Sequence, residues 1–394
     1  MTSCFPRRCA GLLPRRCGAS GLGRLSTSVQ ASVIRELAER DATPLSLQAM
    51  YQIGEAGDAL AASQFLHGEL PVRMAQRIEE LRSLLGEDVS EIVDYYEKAT
   101  LAIVDCARPS CDATEASFAG TVKELLSDRH GVPVALAAAV RRRHPFELDR
   151  VVPMRRLALD EELARFFTAR IGLRFLVEHY VSLREPGQAG LISNDCVPGT
   201  IALEAARAVE AETEAAYGAA PTIDVVGDMA ATLTYVPTHM REAIGELLRN
   251  SARAVAERHG ASGNLPAVRV VVAAGASDVG IKVEDEGGGL PRSARHNAWS
   301  WFWSSKPAAE IGREDREPGL GMGLPMTRCL ARYFGGELMI RPLEGHGTDA
   351  YLHLTPLGDA QCENLPRAAR LSPGDGDSSV CEDTFAFFDE RPRS

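Results

Sequence analysis

His239-Met240-Arg241-Glu242-Ala243-Ile244-Gly245-Glu246-Leu247-Leu248-Arg249-Asn250-Ser251-Ala252-Arg253-Ala254 carries the period of an amphipathic helix. At about 100° per residue, Ala243, Ile244, Leu247, Leu248 and Val255 share one face. Glu242, Glu246, Asn250 and Arg253 line the other. A carboxylate, an amide and a guanidinium then follow one another along one stripe. An Asn oxygen is a hard, uncharged ligand suited to a Mg²⁺ that brings its own phosphates. Arg pairs with phosphate oxygens, and Glu accepts a proton or orients a nucleophile. A solvated helix face would show the same polar residues, so the stripe needs company.

Company lies downstream. Val283-Glu284-Asp285-Glu286-Gly287-Gly288-Gly289 ends a strand on an acid and continues into three glycines, which let backbone approach a ligand. Gly319-Leu320-Gly321-Met322-Gly323-Leu324-Pro325 opens a helix, where backbone N–H groups can cradle phosphate. It matches neither the P-loop nor the Rossmann fingerprint. Glu344-Gly345-His346-Gly347-Thr348-Asp349-Ala350-Tyr351 leads a Gly-Thr pair into a last strand. Each box alone is weak, and their order is the signal.

In that order the four boxes resemble the ATP-binding fold shared by gyrase, the Hsp90 chaperone, histidine kinases and MutL, the GHKL superfamily. The resemblance implies Asn250 on Mg²⁺, Asp285 on adenine, and Gly287, Gly289, Gly321, Gly323 and Thr348 around the nucleotide and its mobile lid. It extends the ATP contacts to Arg253, Ser304, Ser305, Gly319, Leu320, Met322 and Leu324.

Glu69-Leu70-Pro71-Val72-Arg73, preceded by Phe65-Leu66, narrows the match. It resembles the first-domain signature of the mitochondrial 2-oxoacid dehydrogenase kinases, which act on the pyruvate or the branched-chain complex. Glu246 to Ala254 is similar to their Glu-Leu-x-Lys-Asn-Ala-Met-Arg-Ala, and the similarity spans roughly residues 42–367. It implies ATP, Mg²⁺ and allows K⁺. It implies a serine of the E1 component as acceptor, the lipoyl domain of E2 as docking partner, and a homodimer in the mitochondrial matrix. Glu246 would be the base and Arg253 would support the phosphates.

There are departures. The family's pyruvate branch has a His one turn before the base, where this chain has Glu242. The family's Asp-Arg-Gly-Gly-Gly is here Asp285-Glu286-Gly287-Gly288-Gly289, and the Asp-Trp pair of the tail is missing. These leave a catalytically weak ATP-binding regulator open. A protein-histidine kinase is disfavoured, because none of the nine His is followed by an acid. Lid length favours the pyruvate complex, whereas Phe65 to Ile78 and Ile171-Gly172-Leu173-Arg174 favour the branched-chain one. The pyruvate complex is placed first.

The rest of the chain supplies the frame. The expected class is α+β: a four-helix bundle for docking over 36–185, then a GHKL-type α/β sandwich over 186–358, a mixed sheet with helices on one face. Helices are expected from near Pro71, over 88–108, 114–128, 160–183, 199–215 and 323–334, and strands at 268–272, 280–284 and 351–354. A polar tail fills 359–394. Residues 1–35 hold six Arg and no acid, the composition of a transit peptide. The net charge of −11 thus becomes −17 for the remainder, which argues against nucleic acid as a partner. No apolar run approaches the ~20 residues of a spanning helix, so no membrane insertion is expected. The nine Cys form no CxxC pair. Trp299, Trp301 and Trp303 fall in the presumed lid, where packing on the domain is favoured over a partner surface.

Overall fold

The computed structural model describes residues 26–127, 131–144, 153–260, 263–275, 278–304, 320–356 and 363–365. Most of the Arg-rich leader, Ser305, Gly319 and nearly all of the tail lie outside the described residues.

Pro71 does not start a helix. It sits inside α3 (Ala59–Leu85), whose true start is capped by Asp58 accepting from the Ala61 N–H at 2.8 Å. Pro71 offers no N–H to the fourth carbonyl before it. The helix persists because it is the centre of its layer: every residue from Glu69 to Ile78 is buried. Several buried polar groups there are matched, although the Arg77 Nε is not. Gln76 donates to the Arg40 carbonyl at 2.7 Å, and Glu69 accepts from the Thr43 N–H at 2.8 Å. A helix wrapped on all sides has no polar face, so its period was faint in the sequence.

Around α3 pack α1 (Thr27–Ala38), α2 (Leu47–Ala56), α4 (Ser90–Asp105), α5 (Asp112–Ser127), α6 (Gly131–Arg143) and α7 (Pro153–Leu183). Seven helices among the described residues therefore replace the expected four, three of them shorter than 14 residues. α1 crosses the boundary drawn at residue 35. Its Ile34 and Leu37 are buried against the layer.

β1 (Ser193–Cys196) follows and pairs antiparallel with β3 (Leu233–Tyr235). α8 (Pro198–Tyr217), β2 (Ile223–Gly227), α9 (Pro237–His259), β4 (Val268–Ala274), β5 (Val279–Asp285), α10 (Gly323–Tyr333), β6 (Glu337–Leu343) and β7 (Gly347–Leu354) complete the chain. The main sheet runs β2-β4-β5-β7-β6; β2 and β4 are parallel and the other pairs antiparallel. Val270, Val283 and Ala350 are cross-strand neighbours, all buried on the face that α8, α9 and α10 cover. The other face is polar, with Lys282 bridging to Asp349 at 2.9 Å. The expected α+β class with a mixed sheet and helices on one face is what is seen. β6 was not expected, since Pro342 interrupts it. An edge position, paired to β7 alone, tolerates that proline. Among the described residues no helix is long and apolar enough to cross a membrane, and the four cysteines are free.

The two layers share buried histidines. His179 on α7 meets the Met50 carbonyl through Nε2 at 3.2 Å, and its Nδ1 accepts the Leu191 N–H at 3.1 Å. Burial lowers its pKa to about 4. His239 lies between the rings of Phe175 and Phe334, with its pKa lowered by burial to about 3. An unfolded His titrates near 6.5. Both rings are therefore neutral when folded, and the unfolded chain binds more protons below that pH. The contribution is complete above about pH 6.5 and is lost as pH falls toward 4. Urea unfolding between pH 7 and pH 4.5 is expected to show stability falling with pH. His179→Gln should flatten that slope by up to about 1.4 kcal/mol per pH unit; an unchanged slope would contradict the neutral latch.

Candidate nucleotide site

Pro237 opens α9 with its fixed φ, and Ala243, Ile244, Leu247, Leu248, Ala252 and Val255 fasten the helix to the sheet. Glu242, Glu246, Arg249, Asn250 and Arg253 stay exposed or half-buried, as the periodicity required. The Asn250 amide donates to Glu246 Oε1 at 3.1 Å, and Arg249 donates to Glu246 Oε2 at 3.1 Å. With its nitrogen so engaged, the amide keeps Oδ1 for another ligand. Arg253 is not drawn into this group; its Nε lies 3.5 Å from Glu257, one turn on.

Asp285 ends β5 opposite Thr348 of β7, so the second and fourth boxes are adjacent strands. Asp285 Oδ1 accepts the Gly287 N–H at 2.8 Å and the Thr348 N–H at 3.1 Å. Oδ2 accepts the Ser251 hydroxyl at 2.9 Å. Thr348 thus serves Asp285 through its backbone N–H. Burial raises the Asp285 pKa, opposed by these three bonds.

The glycines are needed for space. A Cβ on Gly323 would fall 1.8 Å from Glu246 Oε1, and one on Gly287 would fall 2.4 Å from the Ala254 methyl. Gly321 holds φ +71, and a side chain there would strike the Trp303 backbone. Leu320, Met322 and Leu324 are half-buried and pack against the hydrophobic core. Ser304 is half-buried beside Trp303.

Trp299 packs within its own domain, under the Arg328 guanidinium, but Trp301 packs across layers. Trp301 is buried and stacks on Phe167 of α7 at 4.3 Å. Its backbone N–H donates to Asp160 Oδ1 at 2.9 Å and its indole N–H to the Asp160 carbonyl at 3.1 Å. Phe302 is driven to φ 62, and its N–H meets the Gly321 carbonyl at 2.9 Å. Phe302 and Gly321 are thereby tied to each other, and Trp301 to α7. Sequence reading missed Asp160 and Ser251, since a helical acid or serine carries no sign of a partner far along the chain.

Residues 44–202 match the family model described as mitochondrial branched-chain alpha-ketoacid dehydrogenase kinase, and residues 235–357 match histidine kinase-, DNA gyrase B- and HSP90-like ATPase. A mitochondrial [pyruvate dehydrogenase (acetyl-transferring)] kinase of Arabidopsis thaliana is 36% identical over 346 residues, covering 82% of this chain and 93% of the relative. The Schizosaccharomyces pombe kinase of the same name is 29% identical over 82% of this chain and 95% of its own length. Human isozyme 4 is 26% identical over 82% and 84%. With the helical layer, the four boxes and these matches together, the chain belongs to the mitochondrial 2-oxoacid dehydrogenase kinase family of the GHKL superfamily.

Proposed function

We propose that this chain is an ATP-dependent serine kinase that phosphorylates the E1 component of a mitochondrial 2-oxoacid dehydrogenase complex, pyruvate dehydrogenase first, and switches that complex off. One observation carries the reading: Glu246 and Asn250 touch at 3.1 Å. That contact supports reading the carboxylate as the proton acceptor and the amide as the Mg²⁺ ligand, beside the glycine turns. Phosphoryl transfer asks mainly for such positioning and charge neutralisation.

Asn250 Oδ1 would hold Mg²⁺, Asp285 would accept from the adenine amino group, and the turns at Gly287, Gly289, Gly321 and Gly323 would admit the phosphates. Bound ATP–Mg²⁺ supplies the phosphoryl group and offsets its charge; K⁺ would accompany it by family resemblance. Glu246 takes the serine proton. Its carboxylate is oriented from two sides, by Asn250 and by Arg249. That pair does the work the pyruvate branch gives to a His at the position of Glu242. The helical layer, taken as 36–185, would dock the lipoyl domain of E2, and the ATP domain, taken as 186–358, would act on E1. A homodimer in the mitochondrial matrix completes the proposal.

The branched-chain complex is the second reading, favoured by the match of residues 44–202 to the branched-chain kinase family model. Purified protein with γ-labelled ATP and each E1 in turn distinguishes them. Label is expected on a serine of the pyruvate E1; label on the branched-chain E1 alone would reassign the substrate. Nucleotide binding with transfer to neither would mark a regulator and sink the kinase reading.

A further inference from the structure

A second stripe of α9 faces the nucleotide loops, made of residues to which the four boxes gave no ligand role. Ser251, Ala254 and Arg258 recur at helical spacing and run along the Asp285–Gly288 turn. Ser251 is buried and donates to Asp285 Oδ2 at 2.9 Å. Ala254 lies where a Cβ of Gly287 would be, so it sets how closely that turn approaches the helix. Arg258 donates to three carbonyls: His346 at 2.8 Å, Gly345 at 2.7 Å and Glu286 at 3.4 Å. His259 adds a contact to the Glu286 carbonyl at 3.0 Å. The two turns also bond to each other, Gly288 N–H to the His346 carbonyl and Gly345 N–H to the Gly288 carbonyl.

We infer that Ser251 and Arg258 are positioning residues of the nucleotide site, Ser251 fixing the carboxylate that reads the base and Arg258 stapling the two turns that flank it. The inference rests on the nucleotide reading above. A carboxylate free to rotate offers an acceptor in many directions. With Oδ1 held by two backbone N–H groups and Oδ2 held by a hydroxyl, Asp285 keeps one plane and presents its remaining lone pairs in fixed directions. Such a group prefers a base bearing an exocyclic amine as donor. One planar guanidinium reaching three carbonyls has no equivalent in Lys, which is a point charge.

The test uses the full chain and calorimetric titration with a non-hydrolysable ATP analogue and Mg²⁺, alongside steady-state transfer to E1. Ser251→Ala is expected to weaken the analogue about tenfold. It should raise the KM for ATP with kcat unchanged and reduce the preference for ATP over GTP. Ser251→Thr should restore all three. Arg258→Met should weaken the analogue about threefold, and Arg258→Lys should not recover it. A merely structural role would lower the melting temperature without moving the ATP/GTP ratio. If the unsubstituted chain binds no analogue, the nucleotide reading falls and this inference with it. If it binds and both Ser251→Ala and Arg258→Met stay within twofold, the inference alone is overturned.

Discussion

Asn250→Ala should reduce phosphoryl transfer to E1 by about a thousandfold. The size follows from a double loss at one atom group. The amide oxygen would be the protein's ligand to Mg²⁺, and the amide nitrogen donates to Glu246 Oε1 at 3.1 Å. Removing both leaves the metal without its side-chain ligand and the base held by Arg249 alone. Asn250→Asp should fail equally: it restores an oxygen but sets a second negative charge against Glu246 and provides no donor. Neither change should disturb the fold, because Asn250 is half-buried on the outer stripe of α9. Stability should stay within about 0.5 kcal/mol. Single-turnover transfer and thermal melts on the same samples decide the matter; transfer within tenfold of the unsubstituted chain would remove Asn250 from the site.

The largest stability loss should come from a place far from the chemistry. Arg73 of α3 is 4% exposed and lies against Glu363, whose side chain is fully buried. It donates to Glu363 Oε2 at 3.0 Å, to Glu69 Oε1 at 2.8 Å and to the Thr43 carbonyl at 2.9 Å. The Tyr333 hydroxyl at the end of α10 donates to Glu363 as well, and the Leu45 N–H reaches it at 3.0 Å. Burial works against the Arg73 charge, but the Glu363 bonds outweigh it and raise its pKa. Replacing Arg73 by Ala strands Glu363 as a buried charge, at a cost of about 3–5 kcal/mol, whereas replacing Glu363 leaves Arg73 paired with Glu69 and costs less. The double change Arg73→Met with Glu363→Leu should lose clearly less than the two single losses added together. Chemical denaturation measures this; a single loss below about 1 kcal/mol would mean that the pair is solvated and not a junction. The Arg73 of the Glu-Leu-Pro-Val-Arg signature is thus part of what joins helical layer, ATP domain and tail.

Two kinds of information met in this chain. Periodicity and short spacing were legible because they depend on near neighbours. Glu246 and Asn250 are four apart, so any helix there brings them into contact. The β-branched residues of 268–272 and 280–284 announced strands, and the order of the four boxes announced the superfamily. Where neighbours mislead, the reading slipped. Pro71 looked like a helix start because the sequence does not show that α3 is enclosed on every side. The division drawn at residue 35 fell inside α1 because Ile34 finds its apolar partners only in the folded layer.

By itself, then, the sequence determined the polar stripe of α9, the strand-ending Asp285, the glycine boxes and the α+β class. Each is local or repeated, and each rests on the period of a helix, the alternation of a strand or the absence of a side chain. Tertiary structure decided what holds them. Ser251 meets Asp285 across 34 positions, Trp301 meets Asp160 across 141, and Arg73 meets Glu363 across 290. A serine, an aspartate or an arginine reads as surface in a linear chain, because burying it is costly unless a partner is present. Only the fold brings that partner near.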